Sequence, residues 1–255
     1  MNKELTTLFT GRDEIRLSET SSTNAYMSDR LKDTKPVEGS LVLTGFQSDG
    51  RGQAGSGWLS EPGKNLLASF VFYPVFLSTV EVFQLSKFFA LGVATAIESL
   101  TGEKIKIKWP NDIYFKYKKL GGILIENTIV GGKVVSCICG LGLNVNQIDF
   151  PKNLPNPVSL KMISSKEFSL EEVKISICNE VEAQYLKLKS GRSHELSEEF
   201  LKRLYLFNTW SLYKDVSGSF TGRIIGLEKS GRLLIEKEAG ELQSYDIKEL
   251  VFGLK

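Results

Sequence analysis

The sequence predicts an α+β fold: a mixed, largely antiparallel sheet with helices, followed by a small all-β unit at the C-terminus. Three observations predict it. Strand signals cluster early and are joined by hairpins, one of them marked by Gly131-Gly132. Two capping boxes open helical stretches: Ser78-Thr-Val-Glu81 ahead of an apolar-striped segment ending at Leu100-Thr-Gly102, and Ser169-Leu-Glu-Glu172 ahead of one running toward Gly191. From Ser217 onward the chain turns to short strands broken by Glu228-Lys-Ser-Gly231 and Glu238-Ala-Gly240. That tail is too short to be stable alone and is expected to pack as a small barrel against the rest, so the domains are placed at 1–209 and 210–255.

In chain order, Glu14-Ile-Arg-Leu17 reads as a strand, and Ser22-Thr-Asn-Ala25 as a helix start whose polar side chains can cap orphan amides. Strands are expected at 40–47 and 65–72, the second buried on both faces. Lys104-Ile-Lys-Ile-Lys-Trp109 alternates with period two, a half-buried strand, and Pro110-Asn-Asp112 turns the chain. Further strands are expected at 113–117, 120–128 and 133–139, with a glycine turn at Gly140-Leu-Gly-Leu-Asn-Val-Asn146. A last helical stretch is expected up to about Phe207.

Bulk properties narrow the function. A net charge of +2 is too small to argue for nucleic acid or a membrane surface by electrostatics. Met1 to Phe9 does not resemble a signal peptide, and the apolar stretch from Leu66 to Leu77 is interrupted by Ser69 and Pro74, so a cytoplasmic location is expected. Three cysteines argue against a disulfide framework; Cys137 and Cys139 share one strand face, but no second Cys or His pair lies nearby to complete a metal site. The single histidine, His194, sits in a polar run and reads as solvated, with nothing near it in sequence to support a nucleophilic triad.

Gly50, Gly52 and Gly55 in Ser48-Asp-Gly-Arg-Gly-Gln-Ala-Gly-Ser-Gly-Trp58 have the spacing of a dinucleotide-binding turn. The chemistry of that turn also needs a helix opening behind it, and Ser56 to Gly63 cannot start one. A phosphate loop fails too, because Gly63-Lys64 is followed by Asn65 and Trp58 stands where the leading glycine belongs. What remains is a strand-flanked glycine loop carrying one cation, Arg51, and one aromatic, Trp58. Lys108 ends a lysine stripe beside a turn, where a compact charge suits a carboxylate or phosphate.

Taken together, Ser22-Thr-Asn24, Gln47 with Asp49-Gly-Arg-Gly52 and Trp58, Lys108-Trp-Pro-Asn-Asp112, Lys119-Leu-Gly-Gly-Ile-Leu-Ile-Glu126 and Gly140-Leu-Gly-Leu-Asn-Val145, in this order, resemble biotin protein ligase. The resemblance implies a sheet related to class II aminoacyl-tRNA synthetases, an SH3-like C-terminal domain, and two reactions. Biotin and Mg-ATP give biotinyl-5′-adenylate and pyrophosphate, and a lysine of a biotin carboxyl carrier domain of biotin-dependent carboxylases then takes the biotin. It implies Lys108 and Arg51 as catalytic; Ser22, Thr23, Asn24, Gln47, Gly50, Arg51, Gly52, Gln53, Lys108, Gly121 and Gly122 around biotin; and Trp58, Asn111 and Asn144 around ATP. It leaves open a homodimer and the residues that hold Mg²⁺. Some members carry an N-terminal DNA-binding module; about 20 residues precede Ser22, so none is expected here. The loop departs from the arginine-rich family pattern, with Gln53, Ala54 and Ser56 where arginines often stand. Rival readings are a lipoate or other acyl ligase on the same scaffold and a non-enzymatic biotin or nucleotide sensor.

Overall fold

The computed structural model describes residues 4–253. Seven strands form the main sheet: β1 (Glu14–Leu17), β2 (Leu41–Thr44), β3 (Leu66–Phe72), β4 (Lys106–Lys108), β5 (Asp112–Phe115), β6 (Lys118–Val130) and β7 (Lys133–Leu143). Their spatial order is β1-β2-β3-β7-β6-β5-β4; β1 and β2 run parallel and every other pair is antiparallel, the mixed sheet the sequence predicts. The β6–β7 hairpin turns at Gly131 and Gly132, both at positive φ (58° and 77°), a conformation glycine adopts without steric cost.

Alternation along β3 assigns the two faces. Leu66, Ala68, Phe70 and Phe72 enter the main core, where α2 (Phe83–Thr101) and α4 (Leu170–Lys189) cover the sheet, with α5 (Ser193–Arg203) packed behind them. Val71 joins Met27, Val42 and Ile138 in a second, smaller cluster beneath α1 (Thr23–Asp33) on the opposite face. Glu81 accepts from the Ser78 hydroxyl at 2.8 Å just ahead of α2, and Gly102 ends that helix in the left-handed conformation. The α2 segment is long and apolar enough to cross a membrane by length and composition, but 67% of it is buried inside the protein, which accounts for both. Cys137 and Cys139 lie in the same core with sulfurs 3.4 Å apart, and the described residues contain no group of three or more metal-ligating side chains.

Several elements differ from expectation. β7 continues to Leu143, so Gly140-Leu-Gly-Leu143 is strand and not a turn. Helix α5 stops at Arg203, where Leu204 turns to extended backbone (φ −63°, ψ 130°), short of the expected Phe207. A short helix, α3 (Leu160–Ser164), has no counterpart in the sequence reading. The second sheet begins at Ser211 and holds β8 (Ser211–Asp215), β9 (Gly218–Leu227), β10 (Leu233–Lys237), β11 (Leu242–Tyr245) and β12 (Val251–Phe252) in the order β11-β10-β9-β8-β12. Gly231 in its β9–β10 turn docks it on the main unit. The Gly231 carbonyl accepts from Trp109 Nε1 at 2.9 Å, and a Cβ at Gly231 would come within 2.8 Å of Phe83.

Candidate functional site

Cross-strand register lays a row of residues over the α1 face of the sheet: Lys108, Asp112, Gly122, Gly142, Leu67, Thr44. The next row is Leu124, Gly140, Ser69 and Val42. Three glycines in the middle of these rows remove side chains from the sheet and leave a floor. A cavity of about 280 Å³ stands on it, walled by the start of α1, the 51–58 loop and the β4–β5 turn.

The glycines are there because other groups fill the space. A Cβ at Gly140 would lie 2.9 Å from Asn24 Cγ, and one at Gly142 would lie 2.7 Å from Trp58 Cδ2. Trp58 spreads its indole across Gly142 and Gly122, and its buried Nε1 has no hydrogen-bond partner among the described residues. The loop closes on itself: Trp58 N donates to Gly50 O at 2.7 Å, Gly52 N to Ser56 O at 2.6 Å, and Arg51 pairs with Gly57 in an isolated antiparallel bridge.

At the α1 end the polar groups form one buried chain. Gln47 Oε1 accepts from Thr23 N at 2.8 Å and Thr23 Oγ1 at 3.1 Å. Ser69 Oγ lies 2.7 Å from Thr23 Oγ1 and 2.6 Å from Asn24 Oδ1, and Asn24 Nδ2 donates to Glu126 Oε2 at 2.7 Å. Ser22 was expected to cap α1, yet its side chain makes no capping bond; Gln47 does the capping from a distant segment, and Ser22 lines the cavity instead. Because Gln47 Oε1 is committed to Thr23, its amide NH₂ remains as donor.

On the β4–β5 side Lys119 pairs with Asp112 at 2.7 Å. Arg51, 3.7 Å from Asp49, stands on the loop beside the start of α1, where the Asp49 amide donates to the Ser21 carbonyl at 3.0 Å. Asn111 donates to the Ile123 carbonyl, which ties the β4–β5 turn to β6.

Of the residues singled out from the sequence, Ser22, Thr23, Asn24, Gln47, Arg51, Gly52, Gln53, Trp58, Asn111 and Gly122 line the cavity together. Gly50, Lys108, Gly121 and Asn144 do not. Gly121 alternates onto the core face, where a Cβ would meet Leu143 and Ile113. Asn144 is buried, donating to the Val158 carbonyl at 3.0 Å, and so fixes the segment after β7. Gly50 backs onto the Trp58 carbonyl. Lys108 shares the row of the floor, but its Nζ sits between the rings of Tyr114 (5.1 Å) and Phe252 (4.9 Å), 3.4 Å from the Tyr114 hydroxyl. Burial there lowers its pKa, partly offset by Asp112.

Asp112, Lys119 and Gly142 also line the cavity, each within a motif stretch that the sequence marks without singling them out. The sequence has no signal for Ile247 and Lys248, which come from the second sheet.

The sequence model of the biotin/lipoate A/B protein ligase family matches residues 17–144, half of the chain and nearly all of this site. The chain is 30% identical over 227 residues to the bifunctional ligase/repressor BirA of Bacillus spizizenii, covering 84% of this chain and 67% of that protein. It is 34% identical over 132 residues to the biotin--[acetyl-CoA-carboxylase] ligase of Paracoccus denitrificans, covering 51% of this chain and 53% of that one. Among solved structures, the biotin protein ligase of Aquifex aeolicus in complex with biotin and ATP superposes with a TM-score of 0.79 at 28% identity, covering 95% of this chain and all of that one. The glycine-floored cavity, its polar end and the matched segment coincide, and the chain belongs to the biotin/lipoate A/B protein ligase family.

Proposed function

We propose that the chain is an ATP-dependent biotin protein ligase that forms biotinyl-5′-adenylate and passes biotin to a lysine of a biotin carboxyl carrier domain. The observation that carries this reading is one cavity lined both by a hydrogen-bonding cluster at the start of α1 and by the cations Arg51 and Lys119. Ser22, Thr23, Asn24 and the Gln47 amide offer donors and acceptors to a ureido group. An apolar dithiolane or acyl chain would leave the Gln47 NH₂ and the Ser22 hydroxyl, which the buried chain does not use, unpaired, at about 1–3 kcal/mol for each one buried. That disfavours a lipoate substrate, and the Paracoccus denitrificans and Aquifex aeolicus relatives are named as biotin ligases.

Adenylation brings biotin's carboxylate against the α-phosphate of ATP, so the work is to hold two anions in line and stabilise charge as pyrophosphate leaves. Arg51 and Lys119 line the cavity, and Lys108 stands in the same sheet row as Asp112, its ammonium held between Tyr114 and Phe252. Mg²⁺ enters with ATP; the carboxylate nearest to hand, Asp112, is already paired with Lys119. In the second half-reaction the carrier lysine's amine attacks the mixed anhydride and AMP departs. Trp58 and the closed loop cover the floor, and a covered site keeps water from the anhydride.

The test is biotin-dependent pyrophosphate release from ATP, with lipoate and octanoate as competing acids. Release with biotin alone, followed by labelling of a carrier domain, is the expected result. Release with lipoate and none with biotin overturns the reading.

A further inference from the structure

Ile247 and Lys248 line the cavity although they lie between β11 and β12, more than 100 residues beyond the segment matched by the family model. We infer that this turn is a working wall of the site and that Lys248 binds the phosphate chain of ATP. The inference rests on the ligase reading above and concerns residues that reading does not use.

Three observations support it. The cationic residues lining the cavity are Arg51, Lys119 and Lys248. Asp49 faces the first and Asp112 is bonded to the second, whereas among the described residues no carboxylate pairs with Lys248. An ammonium not already neutralised adds most to the binding of a polyanion. Next, Lys248 has φ +79°, a left-handed conformation that is costly for a side chain bearing a Cβ and persists only where the surroundings impose it.

Those surroundings are the third observation. The guanidinium of Arg232 grips the turn: Nε donates to Ser244 Oγ at 2.8 Å, Nη2 to the Ser244 carbonyl and to Glu249 at 3.0 Å each, and Nη1 to Asp246 at 3.2 Å. Glu249 also accepts from the Asp246 amide at 2.7 Å. The neighbouring Gly231 carbonyl is bonded to Trp109, the residue after Lys108, so the clamp is fastened to the edge of the main sheet beside the Lys119–Asp112 pair. The hydrogen-bonding cluster, at α1 and Gln47, lies on the β2 and β3 side of that sheet.

The experiment measures biotin-dependent pyrophosphate release by the full chain for the wild type, Lys248→Arg, Lys248→Ala and Lys248→Gly. The Ala and Gly variants should raise the KM for ATP about tenfold, leave the KM for biotin unchanged and weaken product inhibition by pyrophosphate, while Lys248→Arg stays near wild type. Glycine separates function from structure, because it relaxes the left-handed position: its Tm holds or rises while its ATP KM worsens. Unchanged ATP KM and pyrophosphate inhibition in both variants, with the wild type active, overturn the role of Lys248 alone. A wild type that releases no pyrophosphate with biotin overturns the ligase reading and this assignment with it.

Discussion

Gly140→Ala puts one methyl group where Asn24 now stands. The new Cβ would lie 2.9 Å from Asn24 Cγ and 3.1 Å from its Nδ2, on a strand that is hydrogen-bonded on both sides and cannot retreat. Asn24 must therefore move, and it holds Ser69 at 2.6 Å and Glu126 at 2.7 Å. Overpacking a fitted site costs about 1–3 kcal/mol. Breaking a buried hydrogen bond adds about 1–3 kcal/mol. A combined loss of about 3 kcal/mol corresponds to a fall in Tm of about 6–12 °C for a chain of this size. Calorimetry measures this directly, and titration with biotin should show weaker binding, since the displaced side chain belongs to the polar end of the cavity. Repeating the substitution in an Asn24→Ala background closes a double-mutant cycle. With the obstacle gone, the added methyl should cost almost nothing. A wild-type Tm for Gly140→Ala, or an equal cost in both backgrounds, refutes the close-approach explanation.

Lys108→Ala should retain the fold and lose adenylation by about 10²–10³-fold, the usual loss for one charge-stabilising donor; near-normal pyrophosphate release would make Lys108 a packing residue under Tyr114 and Phe252. Lys87 is buried with its Nζ 2.9 Å from Ser197 Oγ, and desolvation lowers its pKa from 10.5 to about 8. The unfolded chain then binds more protons between about pH 8 and 10.5, so stability should rise with pH across that window. Lys87→Met should stabilise the protein by up to about 3 kcal/mol at pH 7 and lose that advantage above pH 10.5, which denaturant titrations at several pH values can check. Gln53→Arg adds a cation to a loop position that lines the cavity, and biotinyl-adenylate should leave the variant more slowly in a filter-trapping assay; equal release rates would show that position 53 does not face the phosphate.

Local chemistry in the sequence is enough to read the strands, the helix starts at Ser78 and Ser169 and most of the cavity, because those signals are short-range: the unbroken buried run of β3, alternation along β4, Ser169 accepting from the Glu172 amide at 3.4 Å, Gly131-Gly132 turning the hairpin. What was misread depends on partners remote in sequence. Gly140 and Gly142 look like turn residues until the sheet brings Asn24 and Trp58 over them. Ser22 looks like a cap until Gln47, 24 residues past Thr23, supplies the oxygen. Lys248 gives no local sign at all, since only the docking of Gly231 on Trp109 and Phe83 brings its turn to the cavity.

The indole of Trp58 has a consequence for the timing of ligand capture. It lies on Gly142 and Gly122, the same ground on which a bound molecule would rest, and its buried N–H has no acceptor among the described residues to hold it there. Arrival at the floor must therefore wait for the ring to lift. In a stopped-flow trace the observed association rate would climb with biotin concentration only until it meets the lifting rate, then level off, and the plateau would report how long the ring stays down.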